Sequence, residues 1–597
     1  MAAEYDFIIV GSGPAGGTLA YFLAQSPKKP NILILEAGSD NSDNNLRVDG
    51  KRWLTFMNKD MNYGYKTAPQ TDANNREIDY SRGRGLGGSS AVNFGVFTVG
   101  AKDDYDEWSR LVEDPGESFF GWDRTKARLK KLETFHGRAP VTLENGTKYV
   151  SPRLEDHGSN GPLQVGFPAE WEDTVAPFLD QSENFGFPLN PDHNSGNPLG
   201  MSALISSAHN GRRSTARDLL QAIESLPNVT ILTSSPVQRL VFDPSGLKKN
   251  PKVIGVESNS TKYLATKEVI LCAGSLDTPK ILMHSGIGPA DQLSQFSIPL
   301  VHPNEAIGQN LRDHGFCPLV YLRKTPPLSD RARFYSSPTA QEEALAQWSK
   351  DGTGPWAKFA CQTGIGFFKL PKLVSSPEFL ALPEDEKSFL NQPTIPHWEI
   401  FSHFPIHWFM PEAFPTLTEN TMFDYTCLLV FLYNAQARGS VSLQSSDPNV
   451  PLVFDPKFLS HPYDRRAAVE ALREALRYTR TERFIEEHKI QDDGGVIAAP
   501  PTWDSKGEPG EEPSDEDLLD YWRNTISSSW HMSGTVKMGR AGEKDAVVDR
   551  KFKLMGVEGL RVADMSVAPV LLSGHTQAGA YLTGVAAAER ILEDYGM

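Results

Sequence analysis

The chain has 597 residues, 39% of them hydrophobic and 10% aromatic, which is too long for one hydrophobic core and predicts two or more globular domains. A formal net charge of -16 argues against nucleic acid or an anionic membrane met through a basic face. No apolar run reaches the ~18 residues of a membrane-spanning helix, so no transmembrane segment is predicted.

Residues 6–10 (DFIIV) are a short apolar run that predicts a buried parallel strand. Gly11, Gly13 and Gly16 follow as G-x-G-x-x-G, with Ser12, Pro14 and Ala15 between them, and residues 18–25 continue as a helix. In a dinucleotide-binding unit the first glycine makes the tight turn and the second lets the backbone approach a pyrophosphate. The third lets helix and strand pack closely, and the helix N-terminus faces the phosphate charge. Residues 31–35 form a second apolar strand ending at Glu36, 20 residues after Gly16, where an acid bonds a ribose hydroxyl. The ordered set predicts a dinucleotide site without choosing between FAD and NAD.

Residues 39–80 read as polar loop, anchored by Trp53, Tyr63 and Tyr65. Residues 82–100 (RGRGLGGSSAVNFGVFTVG) carry six glycines and read either as a second segment lying on a phosphate or ring, or as a tight bend. Two amphipathic helical pieces are expected over 103–137, a strand near 163–165, a helix over 213–220 and a strand over 229–233. Residues 237–242 and 253–258 read as an antiparallel ribbon, and 269–272 as a buried strand leading into a helix at 273–275. Cys272, Cys317, Cys361 and Cys427 lack metal-ligand spacing and read as buried free thiols.

Aromatic residues and prolines accumulate over 316–430, most densely at 396–414, as core or as the lining of a pocket for an apolar or aromatic substrate. A strand over 427–433 is expected to pair with 440–443, and residues 464–487 to form one helix with Val469, Leu472 and Leu476 on one face. Residues 501–517 read as an exposed acidic loop. His531 follows a run of small polar residues, and His575 lies between a strand at 559–562 and a helix of small residues. A lone histidine is more often structural, and His284 and His397 are read so; the setting of His575 favours a site. A strand starting at residue 5 leaves no room for a signal peptide, which predicts a cytoplasmic protein. The sequons at Asn145, Asn228 and Asn259 keep secretion as the alternative.

Taken together, residues 83–90 with Asn93, residues 274–288, residues 307–314 and the two histidine segments resemble the glucose-methanol-choline (GMC) oxidoreductases, FAD-dependent enzymes that oxidise alcohols. The resemblance runs from residue 5 to residue 592. It implies a mixed fold, α/β with α+β, in which a Rossmann-like FAD-binding domain (1–160, 200–315, 530–597) is interleaved with a substrate domain on an antiparallel sheet (161–199, 316–529). It also implies FAD, held noncovalently because no flavin-attaching histidine stands near residues 89–93. Pro14 and Ala15 match positions on the pyrophosphate, Glu36 on the adenosine ribose, and Val237 one that reads the adenine through its backbone. Ser89, Asn93 and Phe94 match the flavin side, and Asp564 with His575-Thr576-Gln577 the ribityl chain and ring. Gly11, Ser12, Gly13, Gly16, Ala37, Arg84, Gly88 and Val96 complete the cofactor set that the resemblance implies.

His531 matches the family's base, which takes the hydroxyl proton as hydride leaves carbon for flavin N5, a task suited to a neutral imidazole. His575 matches the residue that orients the hydroxyl. The His-Thr-Gln context resembles aryl-alcohol oxidases and, with the aromatic 396–414 segment, implies a primary aromatic or allylic alcohol oxidised to the aldehyde. Met532 departs from the proline that often follows the base. The expected partners are a small alcohol and oxygen or another electron acceptor, with no metal, no nucleic acid and no membrane, in a monomer or homodimer. The alternative is a flavoprotein of this fold catalysing a non-redox lyase or cyclisation step, because fold does not fix function.

Overall fold

The computed structural model describes residues 4–139, 143, 145–168, 170–172, 174–245, 250–324, 330–358, 364–402, 425–491, 495–500 and 512–597. The first apolar run becomes the strand Glu4–Val10, whose Phe7, Ile8 and Ile9 are fully buried. It pairs in parallel with Ile32–Leu35 on one side and with Thr261–Leu271 on the other. Val229–Leu232 extends the sheet beyond Ile32–Leu35, and the antiparallel pair Val253–Ser258 and Val237–Phe242 extends it the other way. Leu560–Val562 returns from near the C-terminus to lie parallel on Val269–Leu271. The glycine turn therefore opens at the carboxyl ends of parallel strands, where open α/β sheets bind their ligands.

Two helices pack with backbone contact over this turn: Pro14–Ala24 and the C-terminal Gln577–Asp594. A Cβ on Gly16 would stand 2.1 Å from Gly11 O, and one on Gly584 would stand 2.3 Å from Ala15 O. Only glycine allows either approach. Arg561, fully buried on the returning strand, bonds Glu268 at 2.6 Å and Asp594 at 2.8 Å, tying the sheet to the C-terminal helix.

A second sheet is antiparallel, in the order Val496–Ala498, Gly315–Leu322, Tyr425–Leu432, Trp398–Ser402, Gly364–Phe368, Gly200–Ala203, with Ser527–Ser528 also on Gly315–Leu322. Tyr425–Leu432 is buried at every residue, as a central strand must be, and both its edges are taken. The expected pairing of 427–433 with 440–443 is corrected accordingly: Gly439–Ser442, buried at alternate residues, pairs with Gln309–Leu311 and Val453–Asp455 in a separate small sheet. Gly200–Ala203 stands on the edge of the second sheet.

Other boundaries shift for local reasons. The helix expected over 464–487 is two, Pro462–Thr479 and Glu482–Glu487, because Thr481 adopts an extended conformation and its hydroxyl caps Phe484 N. Residues 133–136, expected as helix, form a strand beside Leu163–Gly166. Part of the expected loop at 501–517 is helix: Ser514 and Asp517 form a capping box that starts Asp515–Thr525, while 501–511 lie outside the described residues. Residues 403–424, most of the aromatic segment, and Cys361 also lie outside them; Cys272, Cys317 and Cys427 are buried and free. Among the described residues, no helix is long and apolar enough to cross a membrane.

Arg561→Leu leaves two carboxylates without their buried cation and is expected to cost about 3–5 kcal/mol. A lower midpoint in denaturant unfolding checks this; an unchanged midpoint would show that the network does not stabilise the fold.

Candidate active site

The two glycine-rich stretches meet across Glu36, which is buried. Its Oε2 accepts from Ser12 N at 3.1 Å and Ser12 Oγ at 2.6 Å, and its Oε1 from Gly38 N at 2.9 Å and Gly85 N at 3.0 Å. One carboxylate thus holds the first glycine turn, the end of the second strand and the second glycine stretch together. A single cavity runs from here past both histidines, lined by residues of both sheets. All the cofactor residues expected from the sequence line it except Gly16, which packs on Gly11 and Cys272, and Arg84, whose exposed guanidinium lies 5.7 Å from the Tyr63 ring.

The cavity wall suits an anionic dinucleotide. The N-terminal residues of three helices, Pro14–Ala24, Gly274–His284 and Gln577–Asp594, line it, and each brings the positive end of a helix dipole to the wall. Gly13 and Gly88 approach so closely that a Cβ on Gly88 would stand 2.7 Å from Gly13 Cα, which leaves bare backbone against any ligand. Gln577 receives a hydrogen bond from Asn93 Nδ2 on its Oε1, and its buried Nε2 has no partner among the described residues. Asp564, raised by burial, accepts from Gly274 N at 2.9 Å, Thr278 Oγ1 at 2.6 Å and Ser566 N at 2.8 Å, fixing the start of the middle helix. Among the described residues no group of three or more His, Cys, Asp or Glu could hold a metal ion.

At the other end of the cavity the rings of His531 and His575 stand 4.8 Å apart, nearly perpendicular. Each is placed by a buried aspartate acting on nearby backbone. Asp313 Oδ1 accepts from His531 N at 2.8 Å, and Oδ2 from Ser528 Oγ. Asp104 accepts from Ser573 N at 2.7 Å and Ser573 Oγ at 2.8 Å, two residues before His575, whose own N–H goes to Thr98 Oγ1 at 2.5 Å. Trp530 sits at φ +60°, a left-handed conformation that costs a bulky residue about 1–3 kcal/mol. It is held there by Ser528 Oγ on its N–H (2.9 Å), Arg82 Nη1 on its carbonyl (2.6 Å) and Asp79 on its indole (2.7 Å).

The buried edge of His531 contacts Ser529 Oγ and His314 through Nδ1, at 2.9 and 3.0 Å, so Nε2 is the edge left for the cavity. Burial pushes His531 and His314 well below the ordinary imidazole value, so both rings are neutral at pH 7. His575 meets Glu399 Oε1 through Nε2 at 3.1 Å, and Tyr433 donates to Glu399 Oε2 at 2.5 Å. Phe401 and Phe431 face His575 with ring centroids 6.1 and 5.5 Å away, and Phe94, Phe316 and Trp530 continue an aromatic wall.

Sequence reasoning missed Asp104, Asp313, His314, Glu399 and Ser529 as site residues. Asp313 and His314 stood in a segment read only as a turn between domains, and Glu399 in one read only for its aromatic rings.

Two GMC oxidoreductase family models match the chain, over residues 5–316 and 435–584. A glucose methanol choline oxidoreductase of Aspergillus terreus, atC, is 31% identical over 611 residues, covering 99% of this chain and 92% of that protein. An oxygen-dependent choline dehydrogenase of Escherichia coli is 30% identical over 608 residues, covering 98% and 95%. A fungal aryl-alcohol oxidase structure superposes with a TM-score of 0.81 at 25% identity over 100% of both chains.

Burial raises the carboxyls of Asp104 and Asp313 from 3.8 to about 7. Between those values the folded protein holds protons that the unfolded chain has released, so both groups make stability fall as pH rises through that window. Asp104→Asn cannot ionise and is expected to flatten part of this fall in a plot of melting midpoint against pH. An unchanged slope would show that Asp104 does not titrate on unfolding.

Proposed function

The chain belongs to the GMC oxidoreductase family, and we propose that it oxidises a bulky aromatic or allylic primary alcohol to the aldehyde, with FAD as cofactor. The paired histidines beside an aromatic wall, in the same cavity as the dinucleotide cradle, carry this reading. The two glycine-rich loops laced by Glu36, the three helix N-termini and Gln577 would hold FAD. When bound, FAD supplies the acceptor for two electrons and the second hydrogen of the alcohol. The neutral His531 takes the hydroxyl proton on Nε2, a general-base role that contributes about 10²–10⁴-fold. His575, tied through Nε2 to Glu399, would hydrogen-bond the same oxygen through Nδ1. The Phe401 and Phe431 rings offer edge or face contact to an aromatic substrate and exclude water from the reacting group.

The carboxylates next to the histidines, Glu399, Asp313 and Asp104, all have their oxygens engaged by protein groups.

Anaerobic titration of the holoenzyme with benzyl alcohol, an allylic alcohol and choline tests the substrate class. Bleaching of the visible flavin band by the first two and not by choline is expected; bleaching by choline alone would overturn it. A band that persists while product of unchanged oxidation state accumulates would favour the lyase or cyclase chemistry. His531→Ala is expected to keep FAD and slow flavin reduction about 10²–10⁴-fold. Reduction at the wild-type rate would remove His531 from the mechanism.

A further inference from the structure

We propose that Ser529 is a positioning residue that fixes His531 in its Nδ1–H tautomer, which leaves Nε2 as the basic nitrogen; the inference rests on His531 being the base. Ser529 Oγ lies 2.7 Å from the His314 carbonyl oxygen and 2.9 Å from His531 Nδ1. It has one proton to give, and a carbonyl oxygen can only accept. The hydroxyl proton therefore goes to His314 O, and the contact with His531 requires Nδ1 to be the donor. The opposite assignment sets the lone pairs of Ser529 Oγ and His314 O against each other at 2.7 Å.

A second contact closes the count. His314 Nδ1 stands 3.0 Å from His531 Nδ1, so one of the two carries a proton and the other does not. With the proton on His531, Ser529 Oγ and His314 Nδ1 share it in a three-centre bond, and the single proton of the neutral His314 ring sits on Nε2, which is buried with no partner among the described residues. His314 alone would leave the direction of this contact open, because either ring could donate. The Ser529 hydroxyl, its own proton committed to the His314 carbonyl, breaks the symmetry. Of the two neutral tautomers of His531, the one protonated on Nε2 presents a donor to the cavity and cannot take a proton there.

Ring-nitrogen NMR of holoenzyme carrying isotope-labelled histidine reads the tautomer directly, with the His531 signals identified as those lost in His531→Ala. Protonated Nδ1 and bare Nε2 are expected in wild type and in Ser529→Thr, and a mixture in Ser529→Ala. A proton on Nε2 in wild type overturns the proposal, whatever the substrate. In anaerobic rapid mixing with benzyl alcohol, Ser529→Ala is expected to lower the rate of flavin reduction about 5–10-fold, the worth of one net hydrogen bond. Ser529→Thr should restore it, and the loss should vanish when Ser529→Ala is added to His531→Ala. A wild-type rate in Ser529→Ala while His531→Ala is slow would sink the tautomer role alone. A wild-type rate in His531→Ala would sink the base reading instead.

Discussion

The site depends on two carboxylates taken out of water. Asp104 and Asp313 are buried, and each spends its oxygens on the backbone and hydroxyls beside a histidine rather than on a cation. A buried carboxyl is costly unless donors surround it, so the loops that supply those donors have one arrangement in which the cost is met. The two loops come from chain segments more than forty residues apart (531 and 575), yet their rings meet at 4.8 Å. Precision is achieved through backbone anchors, while the imidazoles themselves stay available for chemistry.

Glu36 does for the cofactor cleft what the aspartates do for the histidines. Four donors from three chain segments converge on its two oxygens. The glycine at position 85, at φ +103°, brings its N–H to that carboxylate in a conformation closed to other residues without strain. The left-handed Trp530 plays the corresponding part on the catalytic loop, with strain held by Asp79, Arg82 and Ser528. Rigid placement of a few groups is the common theme.

Much of this was legible in the sequence where chemistry is local. The strand, glycine turn, helix and second strand of residues 4–36 follow from periodicity and glycine spacing, and the family likeness was carried by short motifs. Strand pairing was less legible. A fully buried segment such as Tyr425–Leu432 announces burial on both faces but not which strands flank it, and the residues it pairs with are 26 or more positions away in sequence. Ser514 with Asp517 was a capping box in plain view, hidden by the acidic, proline-rich residues before it. Ser529, His314 and Glu399 have no motif of their own; they matter only through the ring nitrogens they touch. Such partners become visible only when tertiary structure brings distant segments together.

The proposed function turns on carbon–hydrogen cleavage at an alcohol carbon beside His531 and His575. Rapid anaerobic mixing of the holoenzyme with benzyl alcohol, and with the same alcohol carrying deuterium on its carbinol carbon, tests it most directly. The flavin band should bleach with both, and more slowly with deuterium. Bleaching at equal rates, or consumption of the alcohol with the band intact, would contradict it.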